Sequence, residues 1–135
     1  MNKITTSPEE TMNYAKSIAS LFNGGMVYGL RGELASGKTT FIKGLLMGLE
    51  FDEMVNSPTF TLINEYRAIH KVIHIDCYRE NNINRWIDLG ILEYFSSNSL
   101  VLIEWPEIIK KILPNNIKYI DFEVLDRNSR EITIC

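Results

Sequence analysis

The sequence has few cysteines. Cys77 and Cys135 are the only two, and neither belongs to a CxxC pair or lies near a cluster of histidines. We therefore expect neither a disulfide framework nor a zinc site, and two isolated thiols are typical of a reducing compartment. The sequence also lacks a run of about 18 apolar residues, which a transmembrane helix would need. Its N-terminus has no apolar segment behind a basic start, so we expect a cytoplasmic protein.

An excess of positive charge is lacking as well. Fourteen Lys and Arg residues stand against 17 Asp and Glu residues, which gives a net charge of −3. This balance disfavours a broad electrostatic surface for nucleic acid, although a small basic patch stays open. The 45% apolar and 23% charged residues are ordinary for a globular protein. A length of 135 residues fits one compact domain, so we treat residues 1–135 as a single domain.

Hydrophobic patterning predicts alternating helices and strands. Ser7-Pro8-Glu9-Glu10 has the residues of a capping box, with proline at the first helical position. Apolar residues at helical spacing follow, and Gly24-Gly25 ends that helix. Further patterns predict strands over residues 26–30, 60–66, 71–77, 100–103, 117–125 and 131–134, and helices over residues 38–49, 84–95 and 107–112. Short links between strands predict two antiparallel hairpins, and we expect an α/β domain with a mixed sheet.

A phosphate-binding loop is the most specific local motif. Gly32–Thr39 reads GELASGKT and matches G-x-x-x-x-G-K-[ST] at every fixed position. Glycines let the backbone curl so that N–H groups point inward, and the following helix N-terminus favours an anion. Lys38 would reach the β- and γ-phosphates, and Thr39 would offer its hydroxyl to magnesium. The motif follows a predicted strand and opens a predicted helix, so it predicts a magnesium–nucleoside triphosphate site.

Two acidic residues at strand ends are candidates to complete that site. Asp76 closes an apolar strand at residues 72–75, and Glu104 closes another at residues 100–103. The carboxyl ends of strands beside a phosphate-binding loop converge on the phosphates in open α/β sheets. Either acid could bind magnesium or orient the attacking water, and both assignments stay open at this point.

Other residues near these strands have less specific signals. The hydroxyls of Ser57–Phe60 could approach the γ-phosphate, but Ser-Pro is also typical of a turn before a strand. His74 lies two residues before Asp76 on the same strand face, where a lone histidine is more often structural than catalytic. Arg79 could pair with a phosphate or with an acid. Trp105, next to Glu104, could pack under the loop or stack on a partner or a base, and packing in the core or at its rim is the commoner fate of a tryptophan.

Six segments in this order resemble the TsaE family, also called YjeE, of bacterial P-loop ATPases in tRNA threonylcarbamoyladenosine synthesis. The resemblance covers nearly the whole chain, and the combination of SPTF, HxDxYR and IEWPE at these spacings is more specific than the loop alone. The segments are Ser7–Thr11, Gly32–Phe41, Ser57–Leu62, His74–Arg79, Asp88–Gly90 and Ile103–Glu107.

The resemblance implies a single-domain P-loop NTPase-like fold in three layers, with a mixed sheet and a C-terminal β-hairpin. It implies slow, magnesium-dependent ATP hydrolysis in partnership with TsaB and TsaD, which modify the adenosine next to the anticodon. Direct contact with tRNA would then be made mainly by the partners. The implied catalytic residues are Lys38, Glu104 and Asp76, and the implied magnesium ligands are Thr39 and Glu104. The implied ATP-binding residues are Thr11, Leu34, Ala35, Ser36, Gly37, Lys38, Thr39, Thr40 and Arg130.

The chain also departs from the family pattern. The family usually has Gly-Asp-Leu-Gly-Ala-Gly-Lys-Thr in the loop, and here Glu33, Ala35 and Ser36 replace three of those residues. Ala35 matters most because it adds a Cβ where glycine allows a positive φ. Two alternatives to the ATPase stay open: a non-catalytic module that senses nucleotide and gates assembly, and a small-molecule P-loop kinase.

Overall fold

A seven-stranded mixed sheet forms the centre of the computed structural model, which describes residues 1–51 and 62–135. In space the strands lie in the order β1-β7-β6-β2-β5-β4-β3. The strand bounds are Asn2–Thr5 (β1), Val27–Arg31 (β2), Ile63–Arg67 (β3), Lys71–Asp76 (β4), Leu100–Glu104 (β5), Lys118–Val124 (β6) and Arg130–Ile134 (β7).

The middle of the sheet is parallel and both outer parts are antiparallel. Strand β2 pairs in parallel with β5 and β6, and β4 pairs in parallel with β5. Antiparallel pairs join β3 to β4, β6 to β7, and β7 to β1. The mixed sheet and both predicted hairpins are thereby confirmed. Every residue of β5 is buried, as expected for a parallel strand that is covered on both faces.

Helices cover the two faces of the sheet and make the fold three-layered. Helices α1 (Pro8–Ser17) and α2 (Lys38–Gly48) pack on one face with the side chains of Phe41, Leu102 and their neighbours. Helices α3 (Ile83–Asp88) and α4 (Ile91–Phe95) and the 3₁₀ helix Pro106–Ile112 cover the other face. None of the helices in residues 1–51 and 62–135 combines the length and the apolar character needed to cross a membrane.

Helix α1 begins where the capping pattern predicts it. The Ser7 hydroxyl accepts a hydrogen bond from the Glu10 backbone N–H at 3.0 Å, and Pro8 occupies the first turn. The Glu10 carboxylate accepts a hydrogen bond from the Thr6 hydroxyl. The helix is shorter than its apolar pattern predicts, because a 3₁₀ turn over Ala19–Leu21 replaces its last turn.

Two features of the fold differ from the sequence-based expectation. The single helix expected over residues 84–95 is wrong: α3 and α4 are separate because Gly90 between them has a φ of 85°, which ends the first helix. Strand β1 at the N-terminus was not expected. It is held by long-range pairing with β7, and a four-residue segment with one buried side chain has little pattern of its own. The predicted Ser57–Phe60 segment lies outside the described residues.

Candidate functional site

A cavity of about 520 Å³ opens at the carboxyl ends of β2, β4 and β5. The loop after β2 forms one wall, and the last residues of β4 and β5 form the other. The first turn of α1 and the start of β7 complete the rim. Its lining residues are Pro8, Leu34, Ala35, Gly37, Lys38, Thr39, Thr40, Asp76, Tyr78, Arg79, Glu104, Trp105 and Arg130.

The loop backbone turns through left-handed conformations before it enters α2. Gly37 has a φ of 105°, and Ala35 has a φ of 60°, which is uncommon for a residue with a Cβ. The Arg130 guanidinium donates a hydrogen bond to the Ala35 carbonyl at 3.2 Å. A Cβ at Gly37 would lie 3.2 Å from Arg130 Cδ, so glycine there allows the close approach of β7 to the loop.

The N-terminus of α2 points its backbone N–H groups at this cavity. The Phe41 N–H makes the first hydrogen bond of the helix, with the Gly37 carbonyl at 2.9 Å. Among residues 1–51 and 62–135, no side chain caps this end of α2. The N–H groups ahead of Phe41 and the partial positive charge of the helix can therefore bind an anion such as a phosphate.

Lys38 is held inside the cavity by two contacts. Its ammonium donates a hydrogen bond to the Gly32 carbonyl at 2.7 Å and lies 3.8 Å from the centre of the Trp105 ring. Burial lowers the pKa of Lys38, while the charges of Glu104 and Asp76 act in the opposite direction. The side chain is 5% exposed, so its charge acts where water screens it little.

The two acids lie side by side on the opposite wall. Asp76 and Glu104 are register partners in the parallel pair β4–β5. Burial raises the pKa of Asp76, and the charge of Glu104 acts in the same direction, against the N–H of Tyr78 that donates to Asp76 at 3.0 Å. Two neighbouring carboxylates of this kind favour a bound cation.

Glu104 also has a contact that the sequence did not reveal. Its Oε2 lies 2.6 Å from Nε2 of His74, which is fully buried on the neighbouring strand. In the sequence, His74 is a lone histidine in a strand. The available signal was its spacing: His74 and Asp76 share one face of β4, and Glu104 lies on the adjoining strand.

Trp105 has a strained backbone at the edge of the site. It follows Glu104 directly, has a φ of 59° and begins the 3₁₀ helix Pro106–Ile112. Its half-buried ring contacts Lys38 on one side and the ring of Tyr78, whose centre is 5.1 Å away, on the other. Trp105 therefore forms part of the cavity wall.

Most of the predicted site residues meet at this cavity, and two lie behind it. Ser36 is fully buried beneath the loop, and its hydroxyl has no hydrogen-bond partner in the described part of the chain. Thr11 is 1% exposed and its hydroxyl is 2.6 Å from that of Thr5. The predicted residues that line the cavity are Leu34, Ala35, Gly37, Lys38, Thr39, Thr40, Asp76, Glu104 and Arg130.

The donor set fits magnesium only if phosphates share the ion. Residues 1–51 and 62–135 contain no group of three or more His, Cys, Asp or Glu side chains that could hold a metal ion alone. Magnesium in nucleotide sites needs only one or two carboxylates besides water and phosphate oxygens. The Thr39 hydroxyl and the carboxylates of Glu104 and Asp76, all on the cavity wall, meet that requirement.

Comparison with known proteins finds relatives that match most of the chain. The family model described as "Threonylcarbamoyl adenosine biosynthesis protein TsaE" matches residues 5–132. The tRNA threonylcarbamoyladenosine biosynthesis protein TsaE of Bacillus subtilis (strain 168) is 41% identical over 130 residues, which cover 96% of this chain and 81% of the relative. The protein of the same name from Treponema pallidum (strain Nichols) is 35% identical over 135 residues, 100% of both chains.

A solved structure shares the fold. The crystal structure of Bacillus subtilis YdiB superposes with a TM-score of 0.85 at 36% sequence identity, and the match covers 99% of this chain and 83% of the other. The family model and both relatives extend over nearly the whole chain, so they include both walls of the cavity. The chain therefore belongs to the TsaE family.

Proposed function

We propose that this chain binds ATP with magnesium and hydrolyses it slowly in support of the threonylcarbamoyladenosine modification of tRNA. The observation that carries the proposal is one cavity in which the N-terminus of α2 and Lys38 face the carboxylates of Asp76 and Glu104. Membership of the TsaE family supports the place in tRNA modification. We further propose that homologues of TsaB and TsaD are the partners.

The loop and α2 would bind the triphosphate. Backbone N–H groups at residues 37–40 supply donors that need no side-chain chemistry, and the Arg130 contact with the Ala35 carbonyl holds the loop in shape. Lys38 would exchange the Gly32 carbonyl for phosphate oxygens and neutralise charge as the phosphoryl group transfers. Thr11 would act indirectly, because its side chain lies behind Gly37.

The two acids would bind the metal and orient the attacking water. Thr39 and Glu104 would hold magnesium, which when bound supplies positive charge to the β- and γ-phosphate oxygens. Asp76, whose pKa is raised by burial, is suited to orient a water molecule and accept its proton. This division of roles places the metal near Thr39 and the water near the end of β4.

The test is ATP hydrolysis by the purified chain, alone and with the TsaB and TsaD homologues of its host. We expect slow, magnesium-dependent turnover alone and a clear rise when both partners are added. Nucleotide binding with no hydrolysis above a buffer blank under either condition would favour the non-catalytic gating module. Phosphorylation of a small acceptor in a substrate screen would favour the kinase.

A further inference from the structure

The contact between His74 and Glu104 is unusual for its burial. His74 is 0% exposed and Glu104 is 4% exposed, and their side chains meet at 2.6 Å. In the strand register His74 lies opposite Leu102, which is two residues before Glu104 on the same face of β5. The Glu104 side chain therefore reaches back along β5 to the histidine while it also lines the cavity.

The hydrogen bonds assign the histidine tautomer. His74 Nδ1 is buried and has no hydrogen-bond partner among the residues described. If the proton were on Nδ1, a buried N–H would be left unpaired, which is costly and rare in proteins. A proton on Nε2 is instead donated to the Glu104 carboxylate, and Nδ1 is left as an acceptor only.

Packing alone gives no reason for an imidazole at this position. His74 shares its face of β4 with Val72, and its register partner Leu102 belongs to the same apolar cluster. An apolar side chain of similar size would avoid an unpaired buried nitrogen. The polar contact of His74 is with Glu104, which forms part of the cavity wall.

We infer that His74 is a positioning residue: its Nε2–H fixes one oxygen of Glu104 so that the other is presented to magnesium and nucleotide. The inference rests on the proposed function, in which Glu104 holds magnesium. A carboxylate with one oxygen anchored by a rigid, buried donor loses less freedom when it binds a metal ion. Partners of this kind are typically worth 10- to 100-fold in metal affinity or activity.

Two substitutions separate the donor from the bulk of the side chain. His74→Leu fills the buried volume but removes the N–H donor. His74→Gln keeps a terminal amide N–H that can reach the same carboxylate. The matched control is His70→Leu, which changes the chain's other histidine in the turn between β3 and β4.

Three measurements apply to each variant. Steady-state kinetics give kcat and the magnesium concentration for half-maximal rate. Calorimetry gives the ADP affinity with and without magnesium. Crystal structures without nucleotide give the position of the Glu104 carboxylate. We expect His74→Leu to lower kcat about 10- to 100-fold and to raise the magnesium requirement, with magnesium-free ADP affinity within about 2-fold of wild type.

The structural readout is independent of nucleotide. We expect the Glu104 carboxylate to move by more than about 1 Å in His74→Leu, a displacement large enough to affect catalysis. His74→Gln should restore the carboxylate position and most of the magnesium dependence, and His70→Leu should match wild type. A Glu104 carboxylate that stays in place in His74→Leu, or a His74→Gln variant as impaired as His74→Leu, would overturn the inference.

Failure of the proposed function gives a different result. If wild-type protein binds no ADP or ATP in the presence of magnesium, the nucleotide role itself is wrong, and the crystal structures alone decide whether His74 positions Glu104. If wild type binds and hydrolyses ATP while His74→Leu keeps the same kcat, magnesium requirement and carboxylate position, only the inference about His74 fails.

Discussion

The two walls of the cavity face the same space but are built in different ways. The loop wall consists mainly of backbone N–H groups at the start of α2, and its shape depends on the left-handed conformations of Ala35 and Gly37. The acidic wall consists of the side chains of Asp76 and Glu104, which neighbouring strands bring together. The loop wall is made by residues next to one another in the sequence. The acidic wall pairs Asp76 with Glu104, which are 28 positions apart.

The difference indicates how each wall tolerates change. Backbone donors are supplied by any residue other than proline, so the loop accepts Glu33, Ala35 and Ser36 where related loops have other residues. Side chains on the acidic wall supply the charge themselves, so their substitutions should change hydrolysis directly. Lys38 is the exception on the loop wall, because its ammonium supplies a charge that the backbone cannot replace.

Lys38→Ala is the largest expected effect. The ammonium is buried beside the N-terminus of α2, and its loss removes the main charge that we propose neutralises the transferred phosphoryl group. We expect ATP hydrolysis to fall at least about 100-fold, with weaker ATP binding by calorimetry. Lys43→Ala on the same helix is the control, because Lys43 does not line the cavity. Wild-type rates in Lys38→Ala would disprove the placement of the site.

Glu104→Gln should separate binding from hydrolysis. The substitution keeps the size of the side chain and removes the negative charge proposed to hold magnesium. We expect kcat to fall about 100-fold, while ADP affinity measured without magnesium stays close to wild type.

Glu107→Gln is the matched control for this prediction. Glu107 is exposed in the helix that follows Trp105 and does not line the cavity. Unchanged turnover in Glu104→Gln would transfer the metal-binding role to Asp76, and equal losses in both variants would indicate a general effect of charge.

Asp76→Asn should lower the rate of hydrolysis and raise the melting temperature, and the rise in melting temperature should depend on pH. Burial raises the pKa of Asp76, so the folded state retains this proton more strongly than the unfolded chain, and stability falls as pH rises through the folded-state pKa. Asparagine can still accept the Tyr78 N–H and carries no charge. We expect a higher melting temperature than wild type near pH 7, no difference below the pKa of an unfolded aspartate, about 3.9, and lower hydrolysis.

Thermal unfolding across that pH range checks the prediction. A melting temperature of Asp76→Asn below that of wild type at pH 7 would contradict it, because the carboxylate would then stabilise the folded state. A difference that persisted unchanged at pH 3 would show that the stabilisation has a cause other than ionisation.

Ala35→Gly is the smallest expected effect and acts on the other wall. Ala35 has a φ of 60°, where glycine avoids the Cβ penalty of about 1–2 kcal/mol, although its greater freedom in the unfolded chain offsets part of the gain. We expect a net stabilisation of about 0.5–1 kcal/mol by denaturant unfolding. Ala68→Gly, at a position without positive φ, should destabilise instead. The same sign for both variants would refute the strain argument.

The comparison between the walls also explains which residues could be assigned from the sequence. The loop motif Gly32–Thr39 is local, and its sequence predicted a strand, a turn and a helix that are confirmed as β2, the loop and α2. Asp76 and Glu104 could be proposed separately, as acids that close apolar strands. Their pairing could not be predicted, because the order of parallel strands depends on long-range connections.

Three other features could not be predicted because they also depend on long-range packing. Gly90 interrupts a pattern that reads as one helix, and whether a glycine in such a pattern is tolerated depends on packing around it. Strand β1 exists because β7 offers an edge to pair with. The contact between His74 and Glu104 could not be predicted either, since the two residues are 30 positions apart in the sequence.

The α/β class, the loop motif Gly32–Thr39 and the acids at the strand ends could be predicted from local sequence, because glycine spacing and strand-end residues act over a few positions. The packing of distant segments decided that Asp76 and Glu104 are neighbours, that His74 contacts Glu104, and that Ser36 and Thr11 lie behind the cavity. Burial and side-chain contact depend on how distant strands pack. Hydrophobic attraction is non-directional, so a local apolar pattern does not specify which segments pack together.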